Sequence, residues 1–156
     1  MKKKIIKIGL IVFTVGLLAA LGIGYYMFNM PHRDVQASKV DFSLQASSLV
    51  AEYLKDADAA NEKYLDEEGE SKILAVTGVI ASITEDLNHQ KVVLLKTATD
   101  KAGISCTFLP QTSANAATLK VGETTSVKGV IRSGAQYDED LGLYENVILE
   151  KCDIIK

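Results

Sequence analysis

The chain has 156 residues, 47% of them hydrophobic and 24% charged, with two prolines, two cysteines and no tryptophan. That length holds one ordinary domain plus an appendage, which excludes a multi-domain enzyme. The composition is too apolar for disorder and too poor in cysteine for a disulfide scaffold, and the net charge of −3 conceals two unlike ends.

The first seven residues carry Lys2, Lys3, Lys4 and Lys7, and no acidic residue precedes Asp34. Taking those four lysines from 17 basic residues leaves 13 against 20 acidic ones, so the chain from Pro31 onward carries −7. Between these ends, residues 8–30 run without a charge: IGLIVFTVGLLAALGIGYYMFNM. At about 1.5 Å per residue this reaches roughly 34 Å as a helix, enough for a hydrocarbon core of about 30 Å. Tyr25 and Tyr26 fall where an aromatic belt belongs, and Pro31 stops the helix. Residues 8–30 are therefore predicted to be a transmembrane helix. The basic leader, residues 1–7, is expected to stay in the cytoplasm, which places the rest of the chain in the periplasm or outside the cell. The competing reading is a signal peptide cleaved after Ala37, with Val35 and Ala37 as its small residues. The apolar run is longer than the about 7 to 15 residues usual for such peptides. No cysteine precedes Cys106, so a lipid-acceptor cysteine near the N-terminus is absent. Gly16, Ala20 and Gly24 recur on one helix face, a spacing that lets two membrane helices approach closely as a homodimer.

Residues 31–41 read as a polar linker. A helix is predicted over 42–65, because Phe42, Ala46, Leu49, Tyr53, Ala57, Ala60 and Tyr64 share one face at about 100° per residue. Glu52, Lys55, Asp58 and Glu62 take the opposite face, and the acidic turn from Asp66 to Glu70 ends the element. From Ser71 the period changes. Five segments rich in Val, Ile and Thr follow at 73–84, 91–96, 103–109, 124–132 and 144–155, divided by turn formers. A short helix fits 111–119, between the third and fourth. Gly78 and Gly129 interrupt the first and fourth segments in near-identical settings, where a strand must bend, bulge or admit a close neighbour. A helix followed by βββ–α–ββ is the order of an OB-fold, a five-stranded Greek-key barrel. The predicted class is thus mainly β, with residues 42–156 as an extracytoplasmic domain; another small barrel is the alternative.

The residues also resemble a known family. Ala60-Asn61-Glu62-Lys63-Tyr64, Val76-x-Gly78-Val79, Cys106-Thr107-Phe108, Leu119-Lys120-Val121-Gly122, Val127-x-Gly129-Val130 and Val147-Ile148-Leu149-x-x-Cys152-x-Ile154 together resemble the bacterial OB-fold lipoproteins called tRNA_anti-like. The resemblance runs from about Phe42 to the C-terminus. It implies an exported OB domain with a preceding helix, and no defined activity. The chain departs from the lipoproteins in offering a membrane span where they carry a lipid.

Cys106 and Cys152 fall on the third and fifth segments, which are neighbours in an OB barrel. A disulfide between them would close about 45 residues and stabilise by roughly 4 kcal/mol, and two buried thiols are the alternative. His32 and His89 have no evident partner, and no phosphate loop, dinucleotide fingerprint or zinc spacing occurs. Neither catalysis nor a cofactor is expected. OB-folds bind through their second and third strands and the loops after the first and fourth strands, here residues 85–90 and 133–142. Nucleic acid is disfavoured by the −7 charge and by Phe108 being the single aromatic on those strands. Asp138, Glu139, Asp140 and Glu145 could offer hard oxygen ligands to a cation such as calcium. The leading expectation is a non-catalytic cell-envelope module that engages a protein partner, with cation binding as the alternative.

Overall fold

The computed structural model describes residues 2–28, 33–66 and 70–155, with side chains from Phe13 onward. The chain divides into two compact units, Met1–Arg33 and Asp34–Lys156. The first is the helix α1, Lys2–Phe28, whose side chains are all exposed from Phe13 to Phe28. Among the described residues no helix is long and apolar enough to cross a membrane. Positions 8–12, 29 and 30 of the predicted span lie outside the described side chains, as do the leader lysines. Pro31, His32 and positions 67–69 of the acidic turn also lie outside the described residues. Gly16 and Gly24 of the small-residue face have nothing within 4 Å of a would-be Cβ.

The second unit is a closed barrel. Its strands are β2 (Ile73–Glu85), β3 (Lys91–Leu95), β4 (Ile104–Phe108), β5 (Thr124–Ser133) and, numbered last in the chain, β8 (Val147–Ile154). Hydrogen bonding runs β2–β3–β4–β8–β5, and β5 returns to β2 to close the ring. All pairs are antiparallel except β4–β8. This is the OB order the sequence predicts, and closure leaves the ring no free edge. The alternation is plain in β4, where Ile104, Cys106 and Phe108 point inward, and in β5, where Thr125, Val127, Gly129 and Ile131 do. Both strand glycines mark close approaches. A Cβ at Gly78 would lie 2.8 Å from Ala46 Cβ, and one at Gly129 would lie 2.6 Å from Cys152 Sγ.

The helix expected over 42–65 is instead three elements. Residues 42–45 form β1 (Phe42–Gln45), which lies parallel to β2 with Phe42 opposite Leu74. Phe42 and Leu44 are the half-buried positions, so the same residues satisfy an alternating pattern as well as a helical one. Then α2 (Ala46–Lys55) and α3 (Ala57–Tyr64) follow, separated at Asp56. Asp56 takes an extended conformation, φ −157°, and its side chain accepts a hydrogen bond from Ala59 N. An aspartate that caps a new helix outcompetes its own place inside a continuous one. Leu49, Val50, Tyr53, Ala60 and Tyr64 still enter the core, so the apolar face is as predicted while the helix is broken.

The expected linker is bound to the domain from Asp34 onward. Val35 is buried, Gln36 Nε2 donates to the Lys151 carbonyl at 2.6 Å, and Lys128 Nζ donates to the Gln36 carbonyl at 2.8 Å. Asp41 Oδ2 accepts from Ile73 N at 2.7 Å, at the head of the first barrel strand.

Candidate functional site

The short helix α4 (Ser113–Ala116) joins β4 to β5, and the loops after β2 and β5 are the two through which OB barrels bind. The first is a tight turn that consumes its own polar groups. Asp86 Oδ1 accepts from Asn88 N and Gln90 N, and His89 adopts φ 59°. His89 does have a partner: its Nδ1 lies 2.7 Å from Glu85 Oε1, while Lys91 Nζ reaches Glu85 Oε2 at 2.9 Å. The hydrogen bonds from Lys91 and then His89 hold the Glu85 carboxyl below its usual range.

The second loop is a small hairpin of its own, β6 (Gln136–Asp138) with β7 (Leu143–Glu145). The segment expected as one strand over 144–155 breaks at Asn146, whose Oδ1 accepts from Gly103 N at 2.7 Å. The four acidic candidates do not converge. Asp138 Oδ1 accepts from Asp140 N and Leu141 N, and Glu145 Oε2 takes the Gln136 side-chain amide. Among the described residues no group of three or more His, Cys, Asp or Glu could hold a metal ion. Asp138 shapes the hairpin tip through a local Asx turn.

Sequence reasoning missed the aromatic face of this hairpin. Tyr137 and Tyr144 are cross-strand partners with ring centroids 4.8 Å apart, and Lys101 Nζ lies 5.4 Å from the Tyr144 ring centre. Beside them opens a groove of about 350 Å³, lined by Tyr53, Leu54, Lys55 and Ala57 of the helices and by Lys101, Ala135, Gln136, Tyr137 and Tyr144. Phe108, the aromatic expected on the binding strands, is completely buried inside the barrel. The available signal was two short runs, Gln-Tyr-Asp and Leu-Tyr-Glu, flanking an acidic Gly-containing turn.

Behind the groove, Tyr53 of its wall neighbours the buried Tyr64, with ring centroids 6.1 Å apart. Tyr64 Oη donates to Glu52 Oε2 at 2.8 Å, and Lys63 Nζ pairs with Glu52 Oε1 at 2.6 Å. The Lys63 hydrogen bond, ahead of the Tyr64 one, lowers the Glu52 carboxyl pKa. Tyr53 is 2% exposed and its hydroxyl has no hydrogen-bond partner among the described residues. Burial, followed by the charges of Tyr64 and Glu52, pushes the Tyr53 hydroxyl up to about 12.

Cys106 and Cys152 are both completely buried and free.

The family described as tRNA_anti-like matches residues 1–141. A crystal structure of a "putative nucleic acid-binding lipoprotein" from Klebsiella pneumoniae subsp. pneumoniae MGH 78578 is similar at a TM-score of 0.54 and 16% identity. The likeness covers 81% of this chain and 100% of that one, and at this identity it speaks for the fold. No curated protein matches the chain.

Proposed function

The chain belongs to the tRNA_anti-like family, and from that premise we propose that it is a membrane-anchored, extracytoplasmic OB-fold module that engages an envelope protein partner without catalysis. The observation that carries the binding role is the groove beside the β6–β7 hairpin, where Tyr137 and Tyr144 stand at the end of the barrel with Lys55 and Lys101. Hairpins at this position are where OB barrels meet their ligands. Tyrosines with one face open offer large contact area at low entropic cost, which suits a protein contact.

Membrane anchoring is supported by the sequence and not by α1, since among the described residues no helix is long and apolar enough to cross a membrane. The uncharged run of residues 8–30 and the lysines before it set the direction of insertion. The lipoprotein character of the Klebsiella structure supports the same placement at an envelope. Against nucleic acid stands the −7 balance of the chain from Pro31 onward, which repels a polyanion.

A photo-reactive amino acid placed at 137 or 144 of the full-length chain in its native membrane tests this reading. Discrete protein adducts are expected from both positions and none from position 120, on the α4 side of the barrel. Absence of adducts at 137 and 144, with the chain correctly inserted, contradicts it.

A further inference from the structure

The parallel strands β4 and β8 each carry one inward-facing cysteine, and an irregularity sets their register. Cys106 pairs with Leu149 and Phe108 pairs with Cys152, so β8 spends three residues where β4 spends two. The extra residue is absorbed near Lys151, whose φ of 54° is left-handed. Strict alternation from inward-facing Leu149 would send Lys151 into the core and Cys152 to solvent. The bulge reverses this. Cys152 faces the interior, on the same inner side of the β4–β8 pair as Cys106, and both are completely buried. On the other side β5 makes room with Gly129, where any Cβ would collide with Cys152 Sγ. Thr112 Oγ1 donates to the Cys152 carbonyl at 2.6 Å and fixes the strand in that position.

We propose that Cys106 and Cys152 form a disulfide that staples β4 to β8 and closes the barrel covalently. In forming it, two S–H bonds break and one S–S bond is made. Two electrons and two protons pass to a small-molecule or protein disulfide, which leaves as two thiols. Burial pushes the Cys152 thiol well up, so the folded chain holds little of the attacking thiolate. Oxidation therefore belongs to folding, before the C-terminal strand β8 seats, and seating then shields the bond from reductants. The proposal rests on the extracytoplasmic reading only for the supply of oxidant.

The test uses the full-length chain in detergent, unfolded and reduced, then refolded in a mixture of oxidised and reduced glutathione. Alkylation under denaturing conditions followed by mass measurement counts the thiols. Both cysteines are expected to escape alkylation, with the mass lower by two hydrogens. Reduction is expected to lower Tm by roughly 5–15 °C. A Cys106→Ala/Cys152→Ala chain is expected to melt at one temperature with or without reductant. Two alkylated thiols in the refolded chain overturn the proposal, as does a bonded form that melts no higher than the reduced one. The same count on chain taken directly from cells separates the two readings. A bond that forms in glutathione but is missing from cells supports the pairing and contradicts the extracytoplasmic location.

Discussion

Tyr53 and Tyr64 sit on neighbouring helices with ring centroids 6.1 Å apart, and their hydroxyls meet opposite fates. Tyr64 has Glu52 as its acceptor, while Tyr53 is buried with none among the described residues. An unmade hydrogen bond in a core costs about 1–3 kcal/mol, whereas a made one contributes about 1 kcal/mol. Tyr53→Phe is therefore expected to leave stability unchanged or raise it by up to about 1 kcal/mol, and Tyr64→Phe to lower it by about 1 kcal/mol. Urea midpoints of the two variants check the contrast. The pH dependence follows from Glu52, whose carboxyl is held below its ordinary 4.5 chiefly by Lys63. A depressed carboxyl contributes stability above its unfolded value, and that contribution disappears as pH falls through the folded one. The Glu52 and Lys63 side chains are 37% and 40% exposed, so solvent screening keeps the contribution below about 1 kcal/mol. Melting curves between about pH 6 and pH 3 are expected to show this loss in the wild type and not in Glu52→Gln. Asp138, Glu139, Asp140 and Glu145 look like cation ligands by count, and in the structure Asp138 Oδ1 accepts from Asp140 N and Leu141 N while Glu145 Oε2 accepts from the Gln136 side-chain amide. Which partner an acidic side chain finds depends on turn geometry that composition does not encode.

Among elements, the barrel strands are legible because runs of Val, Ile and Thr alternate and stop at turn formers. The segments predicted at 73–84, 91–96, 103–109 and 124–132 fall within a residue or so of β2, β3, β4 and β5. What escapes is short. β1 has four residues and the hairpin strands three each, lengths at which a period of 2 and a period of 3.6 are not distinguishable. Asp56 carries the break between α2 and α3 in one side-chain hydrogen bond, within a stripe that is otherwise continuous. The strand glycines are the most informative single letters, since both mark contacts with no room for a Cβ. Gly129→Ala is expected to cost roughly 1–3 kcal/mol by overpacking against Cys152 Sγ. Added to a Cys152→Ala background, the same change is expected to cost markedly less, because the colliding sulfur is gone. A double-mutant cycle of unfolding free energies measures that coupling.

For the whole molecule, the order helix then βββ–α–ββ is enough to name the barrel, because few small folds place one helix between the third and fourth of five strands. The docking of residues 34–41 onto β5 and β8 is not legible, since it depends on Gln36 and Lys128 meeting backbone carbonyls far away in sequence. The functional account joins this barrel to an apolar helix and a basic leader, and so makes a claim about which side of a membrane the hairpin faces. Protease treatment of intact spheroplasts carrying the full-length chain tests it most directly. The account predicts that the barrel is removed from outside while a short N-terminal fragment stays with the membrane. A chain cut only after the membrane is opened, or released from it by washing without detergent, would contradict the account.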